Sequence, residues 1–287
     1  MICEHVDWAR TCGFEVVCAG KGTRYLPEFH HSTPETVWDY FHFGRLVAER
    51  GGMNPKMFNS FIDGSKSAIE MTAVCNATGL TPQPGGLGFP PCSTGQLAEV
   101  LKPASAGGCV SHSGTTEVVS SLYRDGSPVA NDLMVGTYVV IEADSDYVRH
   151  CFEEYRMLPD STFRYAALYR PTHMIGLELG VSVASVALRG EPTGVPTAFR
   201  SDVVATAKRD LRAGEILDGE GGYCVWGKQL PAEASLAQSG LPLGLARDVS
   251  LKRDVAEGQL LSWMDIEAHP DDDVVKIRRE LELTFGP

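Results

Sequence analysis

The sequence predicts an α+β protein, a mixed α/β portion followed by a small all-β module, on three observations. An apolar content of 43% in 287 residues is ample for packed cores in one large domain or two ordinary ones. The first two thirds of the chain alternate strand-like apolar runs with periodic segments closed by glycine, as strand-turn-helix units do. From about Ser201, short β-type runs are separated by glycine turns. The chain is expected to divide into 1–28 (an opening strand segment), 29–198 (the mixed portion), 199–270 (the β module) and 271–287 (a closing helix and tail).

The opening stretch "GFEVVCAGKGTRY" carries an apolar run, Phe14 to Ala19, that is expected to stop at Gly20-Lys21-Gly22, as a buried parallel strand stops at a loop that carries chemistry. Only residues 1–13 precede it, too few for the βαβ units such a strand normally joins. An exposed Val16–Ala19 would be a sticky edge, so an oligomer or a covering subunit is expected. Next, "HHSTPETVWDYFHFGRLVAERGG" predicts one helix: Ser32 or Thr33 caps it, Pro34 fits the first turn and Gly51-Gly52 stops it. His42 lies on its apolar face and reads as a packed histidine.

"MFNSFIDGSKSAIEMTAVCNATGL" predicts a short strand to Ile62, a turn at Asp63-Gly64 and a helix from Ser65 to Thr78 closed by Gly79. Lys66 and Glu70 then stand one turn apart on one face, with Asp63 ahead of the N-terminus. Spacing alone makes them a solvated ion pair and an acid satisfying terminal amides. Further on, Asp125-Gly126 predicts a hairpin-like turn and Tyr138–Ile141 a strand, while Pro171 breaks the chain before His173, which stands at a junction. "IGLELGVSVASVAL", Ile175 to Leu188, contains Glu178 and falls short of the roughly 20 residues of a membrane span, so it is expected in a core. "HPDDDVVKIRRELELTF" predicts a closing helix with acids at its N-terminus.

Several function classes fall away. A net charge of −12 leaves no basic surface to track phosphates, so nucleic acid is not an expected partner. The N-terminus, with Glu4, Asp7 and Arg10, lacks a signal-peptide core, and the eight cysteines form no C-x-x-C pair, which together predict a cytoplasmic protein with reduced thiols and no zinc site. Gly86-Leu-Gly88 runs into Phe-Pro-Pro, where a dinucleotide fingerprint would open a helix, and "AGKGT" has Glu15 where a phosphate-binding loop needs glycine.

Two runs, Lys208-Arg209-Asp210 and Lys252-Arg253-Asp254, with "AGE" at Ala213–Glu215 and "DGEGGY" at Asp218–Tyr223, resemble the SAF domain, a β-clip, of the predicted homoserine dehydrogenase family. Upstream, "SFIDGSKSAIE", "CNATG" and "YRPTHMIGLE" are similar to that family's catalytic domain, one branch of which contains enzymes resembling the reductoisomerases of 1-deoxyxylulose 5-phosphate. The resemblance extends from about Gly20 to Glu267 and is loosest between Pro82 and Asp132. It implies an oxidoreductase dependent on NADP or NAD, with an N-terminal Rossmann domain of which 1–28 would be the last strand, a seam to the catalytic domain.

By the same resemblance, Lys66 and Lys21 are the expected catalytic groups, polarising a carbonyl and relaying a proton. Asp63 and Glu70 would position the lysines, hold a divalent cation or bind substrate hydroxyls, and Asn76 and His173 would contact a small polar substrate. Cofactor-binding residues are expected outside this chain, on a Rossmann domain or partner subunit. The rival expectation is a non-enzymatic module that binds a sugar acid or polyol phosphate.

Overall fold

The computed structural model describes residues 1–41, 43–267 and 272–285. Its helices are α1 (Ile2–Thr11), α2 (Val37–Tyr40), α3 (Arg45–Arg50), α4 (Pro55–Ile62), α5 (Ser65–Thr78), α6 (Leu97–Val100), α7 (Asp146–Glu154), α8 (Leu179–Ala184), α9 (Ala232–Ala237) and α10 (Asp273–Phe285). Its strands are β1 (Glu15–Thr23), β2 (Thr81–Pro82), β3 (Thr115–Ser120), β4 (Thr137–Glu142), β5 (Leu158–Pro159), β6 (Tyr165–Arg170), β7 (Ser201–Ala207), β8 (Ile216–Asp218), β9 (Val225–Pro231) and β10 (Arg247–Ser250). The mixed α/β class with additional antiparallel sheets is thus observed. The chain forms two compact units, residues 1–26 with 73–200, and residues 27–72 with 201–287.

The first unit is built on a six-stranded sheet in the order β2-β3-β1-β4-β6-β5. β1 is parallel to β3 and antiparallel to β4, so Val16–Ala19 lies between two partners and is not an edge. The strand also runs on through Gly20-Lys21-Gly22 to Thr23, which corrects the expected loop at this point. Glycine permits the continuation: a Cβ on Gly22 would lie 1.9 Å from the Leu133 carbonyl oxygen. Val17, Cys18, Val119, Tyr138 and Val140 form a core with Leu97 and Leu101. Val6 and Ala9 of α1 are fully buried, a helix the sequence patterning did not predict.

The second unit opens differently from the expected single helix. Pro27–His31 makes a 3-10 turn, Thr33 and Thr36 exchange backbone-to-hydroxyl bonds (2.9 and 3.4 Å), and only α2 and α3 are helical, separated by extended Phe41 and Gly44. These hydroxyl groups compete with the helical ladder for backbone partners. His42 lies outside the described residues. The expected strand before Ile62 is instead α4, because Asn54 accepts the amides of Lys56 and Met57 (3.0 and 3.2 Å) and Pro55 fits the first turn.

The two "KRD" runs pair with each other around a local two-fold relation. Leu211 and Val255 exchange both backbone hydrogen bonds (2.8 and 2.9 Å). Asp210 accepts the Glu257 amide at 3.0 Å, and Asp254 accepts the Ala213 amide at 2.9 Å, each acid reaching the residue three places past its counterpart. Gly214 donates to the Leu251 carbonyl and Gly258 to that of Ala207 (2.7 and 2.9 Å), and both glycines have positive φ (86° and 76°). Repetition of K-R-D-x-x-x-G thus encodes a reciprocal clasp, over a core that includes Leu211, Leu217, Val255 and Leu261.

Candidate active site

Two buried polar centres stand out, one in each unit. In the first, β2 ends at Pro82 and its edge resumes as a bridge from Pro91 to Ser120, so residues 83–90 bulge away from β3. Glu117 of β3 fills the gap. Its carboxylate accepts the amides of Val118 (2.8 Å), Gly88 (3.0 Å) and Phe89 (3.2 Å), and Gln83 Nε2 donates to it as well. The glycine-rich bulge is therefore shaped around one acid. It walls a cavity of about 520 Å³, with Glu117, Gln83 and Ser111 among the polar lining.

Burial pushes the Glu117 carboxyl up to about 7, against the opposing pull of the Val118, Gly88 and Phe89 amides and the Arg124 guanidinium. The folded state therefore holds this proton more tightly than the unfolded chain, and the group's contribution to stability falls as pH rises from about 4.5 to about 7. The loss is expected to be on the order of 3 kcal/mol. Urea unfolding at several pH values across that window should show this slope in the parent and its loss in Glu117→Gln. A parent-minus-variant difference that does not change with pH would contradict it.

The second centre gathers Asp63, Lys208, Ser32, Asn59 and His30. Lys208 Nζ lies 2.8 Å from Asp63 Oδ2 and donates to the carbonyls of Ser32 and Gly222 (both 2.8 Å). Asp63 Oδ1 accepts the Ser65 amide (2.9 Å), so the acid also caps α5. Asn59 donates to Ser32 and Gly221, and His30 stacks on Trp226 with its Nδ1 donating to the Asp63 carbonyl (2.7 Å). Burial pulls the His30 imidazole down to about 4, so the ring is neutral at neutral pH. Three quoted motifs, "DGSK", the first "KRD" and "DGEGGY", thus converge on one buried ion pair.

The expected site residues fall as follows. Lys66 and Glu70 are half-buried on α5, one turn apart as anticipated, and Asp63 is fully buried ahead of them. Lys21 is nearly buried within β1, in register with Val118 and Thr137. Asn76 Oδ1 accepts the Arg200 amide (2.8 Å), and its carbonyl accepts that of Thr197 (2.8 Å), so it anchors the segment leading into β7. His173 Nδ1 donates to the Val135 carbonyl at 2.7 Å. Its surroundings include Arg170, Ser182 and Thr193, which line a cavity of about 280 Å³ with it. Lys21, Asn76 and His173 belong to the first unit, and Asp63, Lys66 and Glu70 to the second.

Sequence reasoning missed Glu117. Its signal was present: a single acid inside the β-type run "TTEVVS" must be either at a surface or specifically satisfied. Asp63 does not suit a divalent cation, because it is fully buried and its oxygens are committed to Lys208 and Ser65. Among the described residues no group of three or more His, Cys, Asp or Glu side chains is gathered for a metal. All eight cysteines are free, and among the described residues no helix is long and apolar enough to cross a membrane.

A mixed sheet bearing a buried acid poised near neutral pH beside a cavity is the equipment of a domain that transforms small molecules. The family model described as oxidoreductase DRL, catalytic domain, matches residues 1–179, and the chain belongs to that family. No curated protein matches the sequence.

Proposed function

We infer that the chain is the catalytic portion of an NAD(P)-dependent oxidoreductase that interconverts a carbonyl and an alcohol on a small polar substrate, in the manner of homoserine dehydrogenases or of enzymes resembling deoxyxylulose phosphate reductoisomerase. The observation that carries this reading is the oxidoreductase catalytic-domain match over residues 1–179. The reciprocal "KRD" clasp supports reading residues 199–270 as a SAF β-clip. Free thiols throughout fit a cytoplasmic setting.

The described residues do not fit a dinucleotide. The glycine-dense loop Gly85 to Gly88 leads into Phe89-Pro90-Pro91 and is folded around Glu117 rather than opening a helix. The nicotinamide, which would supply the hydride, is accordingly assigned to a Rossmann domain or partner subunit outside these residues. What this chain's own side chains contribute is charge and protons. A lysine ammonium, Lys66 or Lys21, polarises the carbonyl oxygen and donates its proton as the alkoxide develops. Glu70 positions Lys66 from the next turn, Glu117 is a further proton-transfer group near neutrality, and Asn76 and His173 contact substrate hydroxyls.

A titration of the purified chain with NADPH and NADH, followed by tryptophan quenching and calorimetry, tests the placement of the cofactor. No saturable binding to millimolar concentration is expected from these 287 residues, and saturable binding with reduction of a small hydroxy-carbonyl substrate is expected once a Rossmann domain is joined. Micromolar binding by the chain alone would overturn the placement. Substrate binding without turnover in the joined protein would favour the non-enzymatic sugar-acid or polyol-phosphate module.

A further inference from the structure

Among the described residues, every hydrogen-bond partner of the Glu117 carboxylate is a donor. Oε1 accepts the amides of Val118 (2.8 Å), Gly88 (3.0 Å) and Phe89 (3.2 Å), and Oε2 accepts the Gly88 amide (3.0 Å) and Gln83 Nε2. Such a shell suits the ionised acid. The protonated acid carries an O–H donor of its own, and in a buried site that donor needs an acceptor. Burial pushes this carboxyl up to about 7, so both forms are populated near neutrality. One member of the shell must therefore change when the proton arrives.

The backbone donors are held in place. Val118 lies within β3, and the carbonyls of Gly88 and Phe89 are tied to the Arg124 guanidinium (2.9 and 3.0 Å), with the Phe89 ring stacked on Tyr25 at 3.9 Å. Gln83 is different, because a half-turn of its side-chain amide exchanges a donor for an acceptor. In the present orientation its Oε1 accepts the Ser111 amide (2.9 Å). We propose that protonation of Glu117 reverses the Gln83 amide, so that Oε1 accepts the acid proton and the Ser111 N–H is released, making these three residues a proton-driven switch in the cavity wall. All three line the same cavity of about 520 Å³. The reversed Nε2 meets the Ser111 N–H donor against donor, so the two separate, and the wall gains two donors for water or a ligand oxygen. The other ionisable groups around the acid keep their charge across neutrality. A guanidinium such as that of Arg124 is a permanent cation, and burial pushes the Cys18 and Cys109 thiols and the Tyr138 hydroxyl upward, Cys109 to about 11. His112 stands one step beyond, its ring bonded to the hydroxyls of Ser111 (2.8 Å) and Thr81 (2.7 Å), and histidine titrates in the same range, so its effect must be separated. The switch depends on this hydrogen-bond set and not on the cofactor reading.

Nuclear magnetic resonance of the isotope-labelled chain across neutral pH tests the switch, following the Glu117 carboxyl carbon, the Gln83 side-chain amide and the Ser111 backbone amide. All three are expected to shift with one midpoint, the Ser111 proton moving upfield as pH falls and its hydrogen bond is lost. Glu117→Gln should abolish the shifts at Gln83 and Ser111, and His112→Asn should leave them in place. In Gln83→Met, which has no amide to reverse, the Glu117 carboxyl should still titrate while Ser111 stays silent, and this variant decides the matter should Glu117→Gln misfold. A Ser111 amide that does not move while Glu117 titrates would overturn the proposal, since cavity water would then accept the acid proton. A Ser111 shift that disappears in His112→Asn, or persists in Gln83→Met, would overturn it as well.

Discussion

Replacing Asp63 with alanine is expected to destabilise the protein by about 3–5 kcal/mol, the cost of leaving one member of a buried ion pair uncompensated. Lys208 keeps two carbonyl acceptors when the acid is gone, but its charge is almost wholly out of water and the carboxylate that pairs with it is removed. The loss of the cap on Ser65 adds to the cost. The second substitution, Lys208→Met, should be costly alone for the mirror-image reason, yet the double variant should recover part of the loss because no unpaired charge remains. A double-mutant cycle by urea unfolding measures this, with the exposed Arg212–Asp254 pair as the reference expected to couple by less than about 1 kcal/mol. Additive effects of the two buried substitutions would contradict the account.

Gly20→Ala should be nearly as severe. A Cβ at this position would lie 1.8 Å from the Glu117 carbonyl oxygen and 2.8 Å from the Tyr138 hydroxyl oxygen, both inside the sheet. The Glu117 carbonyl is itself the acceptor for Tyr138 (2.8 Å), so neither neighbour can withdraw without losing a buried hydrogen bond. A loss of roughly 3 kcal/mol is expected, at the upper end for an added methyl in a packed interior. Gly95→Ala, where nothing lies within 4 Å, is the control and should shift stability by no more than about 0.5 kcal/mol. Equal midpoints in thermal or urea unfolding of the two variants would refute the reading of Gly20.

What the sequence made legible was local chemistry. The Asp63-Gly64 turn and closing Gly79 bounded α5 at Ser65–Thr78 as observed, the β-branched run around Tyr138 became β4, and the acidic start of the last helix was recognised, although Asp271 lies outside the described residues. What escaped depended on partners distant in the chain. Gly20-Lys21-Gly22 looks like a loop until β3 and β4 close on it from both sides. The Thr33–Thr36 hydroxyl exchange breaks a segment whose apolar spacing suits a helix. Glu117 is an isolated acid in sequence, and only the returning bulge at Gly88 and Phe89 gives it a role. The apolar run at Ile175–Leu188 was expected in a core but lies exposed, because composition alone cannot distinguish an apolar segment that packs inward from one that faces outward. Of the site residues, the Lys66–Glu70 spacing was readable from helical periodicity, whereas the tie from Asp63 to Lys208 spans 145 positions and had no local trace.

The most direct test of the proposed chemistry is steady-state turnover of Lys66→Ala in the chain joined to a Rossmann domain, assayed by NADPH oxidation with 1-deoxyxylulose 5-phosphate and with other small hydroxy-carbonyl substrates. Lys66 is half-buried on the first turn of α5 and takes no part in the Asp63–Lys208 centre, so the variant should keep the parent's unfolding midpoint. A fall in kcat of about 10²-fold or more at unchanged stability is the predicted result for a proton-transfer group. Turnover within a factor of two of the parent would make Lys66 structural and contradict the assignment.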